Sequence, residues 1–331
     1  MGILALSFFA HLSFAATTQT NEFHEIARYS LSGEGGWDYV LSDDPARRLY
    51  IARANRIMVV DSDKGTAIGE VSGLDGAHGV ALVKDLNRGF ASSGKSGEVV
   101  VFDLKDFKVV GKIKAGENPD CIIYDPSSKH IFAFNGRSQD VSVIDPATMK
   151  LTASIALSGK PEFAVSDGLG KVFVNIEDKS ELAVIDSGKQ KVISTYKLAP
   201  CAEPTGLAMD GDSRKLIVGC GNKMAVIVNA NSGVILQKFK AGEGIDATAF
   251  DREHHLAFVS AGEGVLTILS ENKSGFQLAQ SFNTVKGART LAVDEKTGHV
   301  FLPFAKLEAL REKKGRPSVV PGTFALLAVG N

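Results

Sequence analysis

Apolar and polar positions alternate along this chain in a pattern that returns every 40 to 43 residues. Each copy has a polar residue, an apolar stretch, a turn, an aromatic-rich apolar stretch, a second turn and an apolar stretch that usually ends in Asp. The polar residues that open the seven copies are Asp38, His78, Asp120, Glu162, Thr205, Asp246 and Arg289. Short strands repeating at this period are typical of β-propeller blades.

A fourth strand follows the terminal Asp of most copies, as in FKVVGKIKA (107–115) and KVISTYKLA (191–199). The last copy has no such stretch after it, whereas FHEIARYSLSGEGGWD near the start of the chain aligns with KVVGKIKAGENPD. We therefore predict an all-β fold, a seven-bladed β-propeller of four-stranded antiparallel blades in which the N-terminal strand closes the last blade.

The last copy also carries an insertion at 303–321, before a predicted third strand at 323–330. The pattern AKLEALREKK predicts about two turns of helix over 305–314. The insertion contains a dense basic cluster formed by Arg311, Lys313, Lys314 and Arg316. Two interpretations stay open: contact with an anionic surface or nucleic acid, or a solvated charged face.

The N-terminus has the pattern of an export signal. Residues 3–12 are mostly apolar, and Ser13-Phe14-Ala15 resembles a signal peptidase site. We expect residues 1–15 to be a signal peptide and residues 16–331 to be one propeller domain, periplasmic or secreted and monomeric. No other stretch is apolar enough for a membrane span.

The net charge of the chain bears on nucleic-acid binding. The chain has 37 basic and 38 acidic residues and a formal net charge of −1. A protein without a strong positive charge lacks the main electrostatic contribution to non-specific nucleic-acid binding, so that partner is disfavoured.

Three cysteines allow one disulfide. Cys201 and Cys220 fall in the same blade. Cys201 precedes the first strand by four residues and Cys220 ends the second, and an antiparallel arrangement brings these two strand ends to the same side. We expect them to be bonded if their Cα atoms come within about 7 Å. Cys121 lies within the apolar run CIIY, which predicts a buried free thiol.

Several segments resemble a known repeat. VFVNIEDKSELAVID, IFAFNGRSQDVSVID and LYIARANRIMVVD resemble the Tyr-Val-Thr-Asn type of propeller repeat. From about residue 23 onward the chain is similar to the bacterial YncE-like family of exported seven-bladed propellers, notably in GGWDYV, CAEPTGLAMD, VGCGNKM, GARTLAVD and VPGTFALLAVG. The resemblance implies the propeller fold and export. It constrains function poorly, because some members are described as DNA-associated and others as gluconolactonase-like.

The seven polar residues that open the copies form one column, which we call the ring. First strands line the channel of a propeller, so we expect the ring at one channel mouth, together with Trp37 and the loop residues Glu34, Glu117 and Glu243. Trp37, the only tryptophan, is either a recognition anchor or a plug packed over the first blade. The ring is a candidate site for an unidentified small molecule, peptide or protein partner.

A divalent cation is the only cofactor that the ring suggests. Asp120, Glu162 and Asp246 are candidate metal ligands, because crowded carboxylates either raise each other's pKa or bind a cation. A metal-dependent, lactonase-like hydrolase with Asp120 or Glu162 as base is the alternative function, but the ring lacks Asn and contains Arg289, which would repel a cation. No catalytic residue is assigned, and we favour a binding or scaffold protein.

One motif is misleading. Residues 89–96 match the phosphate-loop pattern G-x-x-x-x-G-K-S. Such a loop requires a strand before it and a helix after it, whereas this stretch begins inside a predicted strand and is followed by EVVVFD, another strand. We therefore predict a hairpin here and no nucleotide binding.

Overall fold

The structure is a computed structural model and describes residues 22–308 and 318–331. Its strands form seven four-stranded antiparallel sheets around a channel, which confirms the predicted seven-bladed β-propeller. The predicted signal peptide (1–15) and the basic cluster of Arg311, Lys313, Lys314 and Arg316 lie outside the described residues. Within the described part, no helix is both long and apolar enough to cross a membrane.

The strands are numbered in chain order. Blade 1 contains β2 (Trp37–Asp43), β3 (Arg48–Arg53), β4 (Arg56–Asp61) and β5 (Thr66–Ser72). Blade 2 contains β6 (Ala77–Val83), β7 (Arg88–Ser93), β8 (Glu98–Asp103) and β9 (Val109–Lys114). Blade 3 contains β10 (Pro119–Asp125), β11 (His130–Asn135), β12 (Asp140–Asp145) and β13 (Lys150–Ala156). Blade 4 contains β14 (Pro161–Ser166), β15 (Lys171–Ile176), β16 (Glu181–Asp186) and β17 (Lys191–Lys197).

Blade 5 contains β18 (Pro204–Asp210), β19 (Lys215–Cys220), β20 (Met224–Asn229) and β21 (Ile235–Lys240). Blade 6 contains β22 (Ile245–Asp251), β23 (Leu256–Ala261), β24 (Val265–Asn272) and β25 (Gly275–Asn283). Blade 7 contains β26 (Ala292–Asp294), β27 (His299–Phe304), β28 (Ala325–Gly330) and β1 (His24–Ser30). Three short 3₁₀ turns lie at Asp44–Ala46, Lys84–Leu86 and Glu177–Lys179.

Blade 7 is built from both ends of the described chain. Strand β1 pairs antiparallel with β28, with Glu25 opposite Val329 and Ser30 opposite Ala325. This pairing confirms that the N-terminal strand completes the last blade. Backbone hydrogen bonds between these strands join the two ends of the chain within one blade, which closes the circle of blades.

The core lies between adjacent blades. The second strand of six blades carries an aromatic ring that is at most 1% exposed: Tyr50, Phe90, Phe132, Phe173, Phe258 and Phe301. Ile217 takes the equivalent place in blade 5 and is fully buried. Burying one such side chain stabilises the fold by roughly 1.5–3 kcal/mol, and these strands are apolar on both faces because each blade is covered by two neighbours.

In blades 1–6 the pairing between the first and second strands is interrupted by a β-bulge at the ring residue. In each of these strands the ring residue is the second residue, and the ladder to the next strand shifts register there, as between Trp37 and Val40 and between Pro119 and Ile122. A bulge of this kind re-aims a side chain and ends regular pairing. The ring residues of these blades therefore lie outside the regular pairing with the second strand.

The cysteines are placed as predicted. Cys201 and Cys220 form a disulfide with a Cα–Cα distance of 5.4 Å, and Cys121 is a buried free thiol. Burial raises the pKa of Cys121 far above its ordinary value. The disulfide is compatible with an oxidising compartment.

Two local predictions have different outcomes. Residues 89–93 lie in β7, and a turn at 94–97 leads into β8, so the phosphate-loop match is a hairpin as predicted. Gly89 leaves room for Phe102, which a Cβ would approach to 2.1 Å. The helix predicted over 305–314 is wrong in its described part, because Leu307 forms an isolated β-bridge with Val319.

Candidate functional site

Three ring residues from neighbouring blades come together. Nδ1 of His78 lies 2.6 Å from Oδ2 of Asp38 and 3.6 Å from Oδ1 of Asp120. The three side chains are between 15% and 21% exposed, so the group is partly accessible to solvent. One ligand atom from each of the three residues can be chosen so that all lie within 4.8 Å of one another. We call these residues the Asp-His-Asp group.

A lysine outside the ring binds the ring residue of blade 4. Nζ of Lys160 lies 2.8 Å from Oε2 of Glu162 and also contacts Glu177, which is in the 3₁₀ turn after β15. Burial acts to lower the pKa of Lys160, but the two carboxylates outweigh it and the pKa is raised. The lysine therefore remains charged between the two acids.

On the opposite side of the mouth, Arg289 joins blades 6, 7 and 1. Its guanidinium forms an ion pair with Asp246 and donates a hydrogen bond of 2.9 Å to the carbonyl of Trp37. A second carboxylate, Asp38, lies 3.8 Å from Nη1. Arg289 also lies 6.0 Å from the centre of the Trp37 ring.

Between these two ion-paired groups lies a cavity of about 750 Å³ at the channel mouth, which we call the mouth cavity. Its charged lining residues are Lys160, Glu162, Glu177, Asp246 and Arg289. The remaining lining residues are Gly36, Trp37, Thr205, Gly244, Ile245, Gly262, Gly287, Leu307, Ser318 and Val319. Glycines in the wall let a ligand approach the backbone closely, and a cavity of this volume is in the range of small-molecule sites.

Two titratable groups near the mouth have raised pKa values, first because of burial and then because of nearby carboxylates. Burial, followed by the charges of Asp120 and Glu177, raises the pKa of Glu162 to about 7, against the opposing attraction of Lys160. The pKa of Tyr39 is also raised well above its ordinary value, first by burial and then by Asp120 and Glu162. Both shifts have the direction expected where carboxylates are crowded.

Aromatic side chains interrupt the channel beside the ring. Tyr39 of blade 1 and Phe163 of blade 4 contact each other edge to face, with ring centres 5.0 Å apart. Two blades separate them around the ring, so their side chains meet within the channel. Each directly follows a ring residue, Asp38 or Glu162, and sequence reasoning did not identify either of them.

Hydrogen bonds between blades fix the backbone of the ring. Ser92 donates to the carbonyl of Asp120 at 2.5 Å, and Asn175 donates to that of Thr205 at 2.9 Å. Ser260 donates to the carbonyl of Arg289 at 2.5 Å. In each pair a side chain of one blade holds the ring residue of the next, so the ring geometry is part of the packed fold.

Trp37 is packed and nearly buried. It is 8% exposed, lies 6.0 Å from the ring of Phe324, and still forms part of the mouth-cavity wall. The loop before it is held by buried Arg53, which donates to the carbonyls of residues 33–36. Burial lowers the pKa of Arg53 to about 10. Glu34 of this loop lines a different cavity, with Arg56 and Met58.

The predicted ring thus divides into several local groups. Asp38, His78 and Asp120 form the Asp-His-Asp group, whereas Glu162 binds Lys160 and Asp246 binds Arg289. Thr205 donates a hydrogen bond of 2.9 Å to the carbonyl of Ile245. The assignments of ring residues to ligand binding, and of Asp120, Glu162 and Asp246 to a metal, stay predictions. Glu243 pairs with Lys223 at the exposed surface.

Fold and site together define a seven-bladed β-propeller with a charged cavity at one channel mouth. No protein-family model and no curated protein matches the chain. Among solved structures, Kuenenia stuttgartiensis hydrazine synthase is similar with a TM-score of 0.71 and 15% identity, over 82% of this chain and 94% of that one.

Two further solved structures are similar at the level of fold. The RRP9 WD40 repeats match with a TM-score of 0.78 and 8% identity, over 93% of this chain and all of that one. U3-55K matches with a TM-score of 0.77 and 7% identity, over 91% of this chain and 98% of that one. At these identities the likeness establishes the propeller fold and carries no information about function.

Proposed function

We propose that this chain is a binding protein that holds a small, positively charged organic ligand, such as an amine or a guanidinium compound, in the mouth cavity. One observation carries the proposal. The charged residues that line the cavity are three carboxylates and two cations. The carboxylates belong to Glu162, Glu177 and Asp246, and the cations to Lys160 and Arg289. When all five are ionised, one negative charge is left for a cation to neutralise.

The raised pKa of Glu162 supports the sign of the ligand. Burial is the largest cause of this shift, and the charges of Asp120 and Glu177 add to it, so a positive charge beside Glu162 would favour the ionised carboxylate. A ligand cation beside Glu162 would stabilise the ionised carboxylate and displace its proton. We therefore expect affinity to rise between about pH 6 and pH 8 and to fall with added salt.

The wall supports a ligand with an apolar part. Trp37 and Ile245 contribute apolar surface, and the lining glycines let a ligand come close to the backbone. The aromatic face of Trp37 also attracts a cation. We also propose that the protein works after export and belongs to the YncE-like propellers, which the repeat resemblance and the disulfide support.

Isothermal titration calorimetry tests the ligand class. The probes are an alkyl diamine, an alkyl guanidinium and a quaternary ammonium, with a dicarboxylate and a neutral sugar as comparison compounds. We expect one cationic probe to bind and the dicarboxylate and sugar not to bind. Glu162→Gln and Asp246→Asn should each weaken binding by about tenfold, since a hydrogen bond to a charged group contributes roughly 1.5–3 kcal/mol.

Glu243→Gln is the matched control, because Glu243 is on a neighbouring exposed loop, is 65% exposed and does not line the cavity. It should bind as the unmodified protein does. The proposal fails if none of the cationic probes binds, if the dicarboxylate binds instead, or if Glu243→Gln weakens binding as much as Glu162→Gln.

A further inference from the structure

We infer that the Asp-His-Asp group is a binding site for a divalent transition-metal ion, with Mn²⁺ or Zn²⁺ as the fitting ions. The inference goes beyond the organic ligand proposed above, because none of the three residues lines the mouth cavity. In the described part of the chain, Asp38, His78 and Asp120 are the one group of three such residues whose ligand atoms converge.

The spacing suits one shared ion. Nδ1 of His78 lies 2.6 Å and 3.6 Å from the nearest oxygens of Asp38 and Asp120. Ligand atoms that share an ion about 2.1 Å away lie about 3–4 Å apart. The separation from Asp120 already fits, whereas Nδ1 of His78 and Oδ2 of Asp38 must move apart by about 0.5–1 Å for an ion to replace the proton between them. One imidazole with two carboxylates favours Mn²⁺ or Zn²⁺ over the all-oxygen coordination of Ca²⁺.

Charge also points to a cation. Two carboxylates share one imidazole, so a negative charge remains even when His78 is protonated. The guanidinium of Arg289 is 3.8 Å from Asp38 and is already bound to Asp246. A divalent ion would neutralise the group fully.

The imidazole occupies a space that a glycine provides. A Cβ at Gly94 would lie 2.6 Å from Nε2 of His78 and 3.0 Å from Oδ1 of Asn118. The lack of a side chain at Gly94 therefore lets the ring of His78 lie against the turn that follows β7. The three ligands come from corresponding positions of blades 1, 2 and 3, where inter-blade hydrogen bonds such as that from Ser92 to Asp120 hold the backbone. Rigid placement of this kind is what a metal site requires.

The test is direct metal binding by tag-free protein treated with EDTA and transferred to metal-free buffer. Titration calorimetry with MnCl₂ and ZnCl₂ should show saturable binding of one ion per chain. His78→Asn and Asp120→Asn should each weaken binding by about tenfold or more, as expected when one of three ligands is lost. Circular dichroism and the Tm without metal establish that each variant is folded.

His254→Asn is the matched control. His254 also has a carboxylate partner, Asp251, at 2.8 Å, but it is 46% exposed and belongs to no converging group of three among the described residues. It should bind metal as the unmodified protein does. Pulsed electron paramagnetic resonance on the unmodified Mn²⁺ complex gives a result independent of any variant, since it should detect one coordinated imidazole nitrogen.

The inference is overturned if neither ion binds saturably at millimolar concentration, if His78→Asn binds as well as the unmodified protein, or if bound Mn²⁺ shows no imidazole coupling. No organic ligand is present in this experiment, so its failure is separate from failure of the proposed function. Glu177→Gln separates the two sites further, because it changes the mouth cavity and none of the three metal ligands.

Discussion

The guanidinium of Arg53 lies 3.5 Å from the centre of the Phe324 ring and joins the first blade to the last. Arg53 ends β3 in blade 1, whereas Phe324 directly precedes β28 in blade 7. The same guanidinium holds the loop at residues 33–36, which leads from β1 of blade 7 into β2 of blade 1. Arg53 is fully buried. Its contacts join the first blade to the last blade, where the circle of blades closes.

We expect Arg53→Met to destabilise the protein by about 3 kcal/mol, because several buried carbonyl oxygens lose their donor. Calorimetric unfolding measures the effect. Arg252→Met is the control, since Arg252 is 64% exposed and pairs with Asp212 at the surface, where an ion pair contributes roughly 0–1 kcal/mol. Equal Tm values for the two variants would contradict a closing role for Arg53.

The disulfide should contribute to stability through the loop that it closes. Cys201 and Cys220 are 19 residues apart, and closing a loop of that length stabilises a fold by about 3 kcal/mol. The double variant Cys201→Ser, Cys220→Ser should therefore have a lower Tm. Thiol titration of unfolded protein should find only Cys121 before reduction, and all three cysteines before reduction would exclude the bond.

The pKa of Glu162 predicts a pH dependence of stability. Its folded value of about 7 exceeds the ordinary value of 4.5, so the folded state keeps a proton that the unfolded state loses. The free energy of unfolding should therefore fall as pH rises from about 4.5 to 7, by at most about 3 kcal/mol from this group. Glu162→Gln should remove this contribution, as measured by Tm against pH. The same slope in both proteins would contradict the assignment.

Ser92 should matter for the position of Asp120. It donates to the carbonyl of Asp120 and accepts a hydrogen bond of 2.8 Å from the backbone N–H of Gly79. We expect Ser92→Ala to lower stability by about 1–3 kcal/mol, because it leaves buried polar groups without partners. Ser274→Ala, in an exposed turn, is the control. Calorimetric unfolding measures the Tm of both variants, and equal values would show that the Ser92–Asp120 hydrogen bond does not stabilise the fold.

The repeat made the architecture predictable. A period of 40 to 43 residues sets the number of blades and the column of ring residues, and the missing fourth strand of the last copy indicates ring closure. The column also placed Asp38, His78 and Asp120 in adjacent blades. Their direct contact depends on bulges and side-chain rotamers, which the hydrophobic pattern does not encode.

Lys160 and Glu177 were missed for a physical reason. Neither belongs to the ring column: Lys160 lies in the loop two residues before Glu162, and Glu177 lies in a turn after the second strand. Their meeting depends on how these loops fold back over the mouth. A signal for Lys160 did exist, because the corresponding loops of other copies carry Glu117 and Glu243, so a lysine there reverses the local charge.

Fluorescence of Trp37 tests whether a cationic ligand occupies the mouth cavity. Trp37 is the only tryptophan and forms part of the cavity wall, so its emission responds to a ligand bound in that cavity when no metal is present. We predict that the cationic probe found by calorimetry changes the emission saturably, with the same Kd. A probe that binds by calorimetry but leaves the emission of Trp37 unchanged would place its site elsewhere and contradict the account.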